Sequence, residues 1–313
     1  MEVSGLNIDI RLLVVVGAFL LDLVIGEPPE LIHPVVWIGK LIESFRDHID
    51  SEHLSRFHGG ILFLVVVGGT SAGVYFGVRS ALGFSRILGC ILSAYLLKST
   101  ISMRGLVETV KRVGQKVDND PGGARSDLIA LVGRDRMSLS PGEMRSAAIE
   151  SLFENLVDSY ISPLFYFLIG GIFSLSIGVA AGVFFKAVNT VDSMVGYRTE
   201  DLVDLGYAGA KVDDWLNWFP ARVSPFLIAI SGFSFRGVTL AFRDWRKTPS
   251  PNSGWSMAAG SGVLGVKLIK KGVYSLGEEY GLPVADDMKK AIVVSVRVMV
   301  IFAGLVCGML VFM

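Results

Sequence analysis

Cysteine is nearly absent: two residues in 313, with no CxxC pair, which excludes a disulfide framework and a thiolate metal site. Cys90 and Cys307 both sit in apolar runs, where a thiol serves as a small hydrophobe. Histidine is scarce too. His33, His48, His53 and His58 have no metal-ligand spacing, because five-residue steps turn side chains by about 140° on a helix. No Walker A loop, HExxH motif or Ser-His-Asp set is present. Charge of either sign is not in excess, 29 basic against 29 acidic residues, so no nucleic-acid partner is implied. Internal repeats, low-complexity segments and strand patterns of useful length are missing as well.

What the chain has is apolar length. It is 51% hydrophobic with a mean hydropathy of +0.55. Its apolar residues fall in blocks at 10–25, 59–78, 81–103, 160–188, 218–235 and 291–313. Several approach the roughly 17–25 residues that span hydrocarbon. The pattern predicts an all-α, polytopic integral membrane protein, one membrane domain over 1–313, with about four to six transmembrane helices. Glu2 and Asp9 before Arg11, Asp22 late in the run and no A-x-A site predict a retained first span.

Basic residues concentrate in two of the four loops at 26–58, 104–159, 186–217 and 236–290. Residues 104–159 hold eight Lys or Arg and 236–290 hold nine, which predicts a cytoplasmic side for both. The block 160–188 is too long for one upright helix and carries Gly170, Gly171 and Gly178. It is expected to turn back, which would bring the polar loop 186–217 to the cytoplasmic side. Broken or re-entrant helices are tolerated where they line a protein cavity.

The polar residues are patterned. SLSPGE at 138–143 predicts a capped helix start, with Ser140 at the N-cap, Pro141 at N1 and Glu143 at N3. On that helix Glu150, Glu154 and Asp158 fall within an arc of ~80°, beside Ser151 and Asn155. Hard divalent cations want such carboxylate oxygens; a solvated helix face is the plain alternative. Pro163 then marks a kink or break. Lys186, Asn189 and Asp192 recur every three residues and share a helix face at the membrane boundary. Asp213-Asp214, Trp215, Asn217, Trp218, Pro220 and Arg222 are denser than a linker requires. Arg243, Asp244, Arg246 and Lys247 precede the rigid Pro249-Ser250-Pro251-Asn252 turn, a place to clamp phosphate or simply a positive-inside cluster. Gly260, Gly262 and Gly265 match GxGxxG without a preceding strand, which favours helix packing over a dinucleotide fingerprint. Of the histidines only His33, beside Pro34, merits testing.

Taken in order, DLVIGEPPELIHPVVWIGKLI at 22–42, LVGRD at 131–135, AAIESLFENLVDSYISPLFY at 147–166, KAVNTVDSMVGYR at 186–198, DDWLNWFPAR at 213–222 and RDWRKTPSPNSGWSMAAGSGVLGV at 243–266 resemble the adenosylcobinamide-phosphate synthase family of cobalamin biosynthesis. The chain departs from that pattern at several positions. Phe153 stands where a small residue is usual, Gly260 where Met is common, Ser159 where Gly is usual, and Thr248, Ser253 and Ser256 replace His, Ala and Pro. No carboxylate or basic residue is lost.

The resemblance implies an ATP-dependent ligase in the cell membrane, working with Mg²⁺. It would join a propionate of adenosylcobyric acid, a corrinoid, to (R)-1-aminopropan-2-ol phosphate, giving adenosylcobinamide phosphate through an acyl phosphate. In that reading Glu150, Glu154, Asp158 and Asp192 bind Mg²⁺. Arg134, Lys186, Arg222, Arg243 and Lys247 hold ATP or substrate phosphate. Asp213 or Asp214 is the base, with Asp192 counted among the catalytic carboxylates. Trp215, Trp218, Trp255 and Asn252 contact the corrinoid, whose apolar faces and amide rim suit them. A polytopic transporter, or a non-catalytic membrane regulator sharing the fold, is the competing reading.

Overall fold

A computed structural model describes residues 9–48, 55–132, 138–196 and 202–312. Arg134 and His53 lie outside the described residues. In chain order the helices are α1 (Ile10–Ile25), α2 (Pro34–Asp47), α3 (Arg56–Phe63), α4 (Gly69–Phe84), α5 (Arg86–Thr100), α6 (Met103–Lys116), α7 (Pro121–Asp127) and α8 (Pro141–Leu156). Then come α9 (Ser162–Gly171), α10 (Leu175–Val195), α11 (Tyr207–Leu216), α12 (Trp218–Ser231), α13 (Arg236–Asp244) and α14 (Ser253–Leu264). A hairpin of β1 (Leu268–Lys270) and β2 (Tyr274–Leu276) precedes α15 (Ala285–Phe312). The sequence pattern missed this hairpin, because three-residue strands are too short to show an alternation.

The all-α membrane architecture is as expected. Among the described residues four helical stretches are long and apolar enough to cross a membrane: Arg56–Phe84, Arg86–Lys116, Leu175–Val195 and Ala285–Phe312. At 16 and 14 residues, α1 and α12 fall short of the roughly 20 an upright span needs. The chain forms two compact units, one of residues 1–102, 162–213 and 303–313, the other of 103–161 and 214–302.

In the first unit α1 packs on α5, and α10 packs on α2, α4, α5 and α9. The run 160–188 does turn back. The chain reverses after α9, Ser174 Oγ accepts from Ile177 N at 3.2 Å to start α10, and the two helices return antiparallel. Their contact depends on glycine: a Cβ at Gly170 would lie 2.7 Å from Ile177 O, and one at Gly178 2.9 Å from Phe167 O. Just before this hairpin, α8 loosens into a π-turn at Val157–Ile161. Pro163 has no N–H to give and crowds the carbonyl four residues back, and the wider turn relieves both.

In the second unit α14 is the central helix, buried throughout Gly254–Gly262 and packed by α8, α12 and α13. The GxGxxG glycines therefore sit inside a helix. A Cβ at Gly262 would lie 2.6 Å from Arg236 O, and Gly265 caps the end at φ 67. The Ser140–Glu143 capping box starts α8 as the sequence indicates. The β-hairpin is tied to α8 by Ile269 N donating to Ser146 Oγ at 2.7 Å.

Candidate functional site

Two segments of the second unit, 214–222 and 245–255, meet around Arg222. Two prolines rigidify the turn before α14, and Ser250 Oγ accepts from the backbone N–H of Asn252 (3.2 Å) and Ser253 (3.3 Å). Thr248 Oγ1 donates to Ser250 O at 3.0 Å and holds the same turn. Asn252 is thereby presented toward α12: its Nδ2 donates to Asp214 O (2.8 Å) and its Oδ1 accepts from Arg222 Nη1 (3.4 Å). The Arg222 guanidinium lies 4.2 Å from the Trp218 ring centre, 5.3 Å from Trp255 and 5.9 Å from Trp245. Trp245 and Trp255 stack with centroids 5.0 Å apart. Trp218, Trp255 and Asn252 are thus brought together with Arg222, and Trp245 joins them. Trp215 stays out of this stack, 78% exposed on α11.

Arg243 and Lys247 are already paired. Arg243 holds Glu279 with two bonds of 2.9 Å and Asp244 with two, of 2.8 and 3.0 Å. Lys247 Nζ lies 3.2 Å from Asp244 and 3.3 Å from Glu278. Asp244 is fully buried and also accepts from Gly277 N at 2.9 Å. Burial opposes its charge, but Arg243, Gly277 and Lys247 hold its carboxyl below the usual range. Phosphate would reach these cations only by displacing the exposed Glu278 and Glu279.

The acidic strip of α8 divides in two. Glu150 is 4% exposed and accepts from Ser146 Oγ (2.7 Å) and Tyr274 OH (2.6 Å), so it fastens the β-hairpin. Glu154 and Asp158 are half-buried, four residues apart. Among the described residues no group of three or more His, Cys, Asp or Glu is gathered for a metal ion. Mg²⁺, however, is commonly bound through one or two carboxylates plus substrate phosphates and water, and Glu154 with Asp158 fits that donor set.

In the first unit, Lys186, Asn189 and Asp192 lie on the last three turns of α10, as their spacing predicts. Lys186 Nζ donates to Asn189 Oδ1 (3.4 Å), and Asn189 Nδ2 donates to Oδ1 of the buried Asp213 (3.3 Å). The approach of α11 that delivers Asp213 requires Gly209, where a Cβ would sit 2.6 Å from Val191 Cγ1. Asp192 is half-buried, and its carbonyl accepts from Gly196 N at 2.7 Å.

Sequence reasoning missed a second polar cluster in this unit. Lys98, 2% exposed, lies 3.4 Å from the fully buried Asp22 and 3.1 Å from Glu27. Glu27 also accepts from Ser102 Oγ (2.5 Å) and pairs with His33 Nε2 (3.1 Å). Burial works against the Glu27 charge, but His33, Ser102 and Lys98 bring its pKa down to about 2. His33 Nδ1 accepts from Val35 N at 3.2 Å and caps α2, so both ring nitrogens are engaged. The available signal was Lys98 itself, a lone charge deep in an apolar run.

The family model described as CobD/Cbib protein matches residues 15–299. The chain is 42% identical over 301 residues to the probable cobalamin biosynthesis protein CobD of Methanothrix thermoacetophila, covering 93% of this chain and 94% of that one. It is 39% identical over 279 residues to the cobalamin biosynthesis protein CobD of Geobacter metallireducens, covering 87% and 84%. Against the cobalamin biosynthesis protein CbiB of Salmonella typhimurium it is 34% identical over 286 residues, covering 88% and 87%. No solved structure matches it.

Proposed function

The chain belongs to the CobD/CbiB family of cobalamin biosynthesis proteins, and from that premise we propose that it is an ATP-dependent amide ligase. Its substrates would be adenosylcobyric acid and (R)-1-aminopropan-2-ol phosphate, and its product adenosylcobinamide phosphate. The observation that carries this reading is the convergence of Arg222, Asn252, Trp218, Trp245 and Trp255 from two segments. Aromatic edges beside amide and guanidinium donors suit a macrocycle with broad apolar faces and an amide rim. Trp215 and the outer face of Trp218 supply the exposed part of that surface.

A carboxylate at neutral pH is a poor acyl donor. The corrinoid propionate therefore attacks the γ-phosphorus of ATP, releasing ADP and leaving an acyl phosphate. The amine then attacks the acyl carbon, and the carbon–oxygen bond to phosphate breaks. Mg²⁺ bound there would supply positive charge to offset that of the transferring phosphoryl group. Glu154 and Asp158 would hold it, while Glu150 is occupied by Ser146 and Tyr274. Arg222 and Lys186 would bind substrate phosphate, joined by Arg134 and, after exchanging their carboxylate partners, by Arg243 and Lys247. Asp213 or Asp214 accepts the amine proton. The basic asymmetry of 104–159 and 236–290 supports a cytoplasmic face for this chemistry in the cell membrane.

The test is purified protein in detergent with Mg-ATP and both substrates, the corrinoid product being followed by mass spectrometry. An ATP-dependent amide product supports the reading. Product formed equally without ATP, or none from folded protein, contradicts it.

A further inference from the structure

Asn189 has a side chain whose orientation is settled by its neighbours. A lysine ammonium can only donate, so the Asn189 oxygen must face Lys186 Nζ, 3.4 Å away. The amide nitrogen is then left to face Asp213 Oδ1 at 3.3 Å, and it can only donate there. The lysine thus fixes the amide, and the amide fixes one oxygen of a carboxylate that is 8% exposed. The backbone carbonyl of Asp214, the other candidate base, is engaged by Asn252 at 2.8 Å.

We propose that Asp213 is the base that deprotonates the attacking amine, and that Asn189, held by Lys186, is the positioning residue that aims it. This deepens the ligase reading and rests on it. The substrate amine arrives as an ammonium. It passes one proton to the Asp213 carboxylate and becomes nucleophilic. Its nitrogen then bonds to the acyl carbon, the phosphate oxygen leaves with the bonding pair, and the second amine proton departs with phosphate. Only the first transfer needs Asp213. A nucleophile that is already neutral at working pH would bypass it.

Hydroxylamine is such a nucleophile, and it converts an acyl phosphate to a hydroxamate. The experiment compares Asn189→Asp and Asn189→Ala with wild-type enzyme in detergent. Each receives Mg-ATP and adenosylcobyric acid, with either aminopropanol phosphate or hydroxylamine. Asn189→Asp keeps the size and the Lys186 contact but puts an acceptor where Asp213 needs a donor. Melting temperature is recorded for both variants. The expected result is amide formation reduced by at least about 100-fold, the scale of a lost general base, with hydroxamate formation unchanged. Equal loss with both nucleophiles would show a merely structural asparagine and overturn the inference. So would unchanged amide formation in either variant. Wild-type enzyme that makes no hydroxamate would contradict the acyl-phosphate reading itself, and the inference would fall with it.

Discussion

The ring of Phe153 on α8 fills the space over Gly260 on α14, so that a Cβ on Gly260 would run into it. A large side chain thus faces none, and the two positions share a single volume across one helix interface. Phe153→Ala should cost about 3–5 kcal/mol through the cavity it leaves. Gly260→Met should cost about 1–3 kcal/mol through overpacking. The double variant Phe153→Ala/Gly260→Met should recover most of the loss, because total volume is kept. A double-mutant cycle on thermal unfolding in detergent checks this, and strictly additive losses would disprove the shared volume.

The carboxylates of α8 should separate into one that holds structure and two that serve chemistry. Glu150→Gln removes the charge on which Tyr274 and Ser146 converge and should lower stability by about 1–3 kcal/mol. Glu154→Gln should leave melting unchanged and lower kcat with ATP by at least about 100-fold. Parallel melting curves and turnover measurements distinguish them. Full ATP-dependent turnover in Glu154→Gln would remove the metal role.

Lys98 and Asp22 form a buried pair, so removing one partner strands the other. Lys98→Met should destabilise by about 3–5 kcal/mol, and Asp22→Leu/Lys98→Met should restore much of it. Glu27 adds a pH signature. Its folded pKa is about 2 against an ordinary 4.5, so the folded state binds its proton less readily than the unfolded chain. Its contribution is full above that ordinary value and is lost as pH falls toward about 2. Melting temperature should decline over that window in wild type and less steeply in Glu27→Gln.

Arg222→Lys keeps charge but loses the planar group that lies on Trp218 and reaches Asn252. Cation–π contacts of this kind are worth about 1–2 kcal/mol when desolvated, so kcat/KM should fall roughly tenfold or more. Trp245→Ala should act in the same direction, since Trp245 stacks on Trp255 beneath the guanidinium. Unchanged kcat/KM in both variants would take the aromatic surface out of the site.

Residues whose roles follow from local rules were legible in the sequence. The Ser140 cap, the reversal within 160–188 and the shared face of Lys186, Asn189 and Asp192 all depend on neighbours within a few positions. The convergence of Trp245 with Trp255 and Arg222, and the pairing of Lys98 with Asp22 and Glu27, depend on helices far apart in the chain. Glu150 is the instructive case. Periodicity places it on the same face as Glu154, yet the short hairpin that covers it leaves no pattern in the sequence.

The most direct measurement uses adenosylcobyric acid carrying oxygen-18 in its free propionate carboxylate. It is incubated with enzyme, Mg-ATP and aminopropanol phosphate, and the released phosphate is weighed by mass spectrometry. Ligation through an acyl phosphate requires one labelled oxygen in each phosphate formed with amide. Label in AMP, or amide formed with unlabelled phosphate, would contradict it.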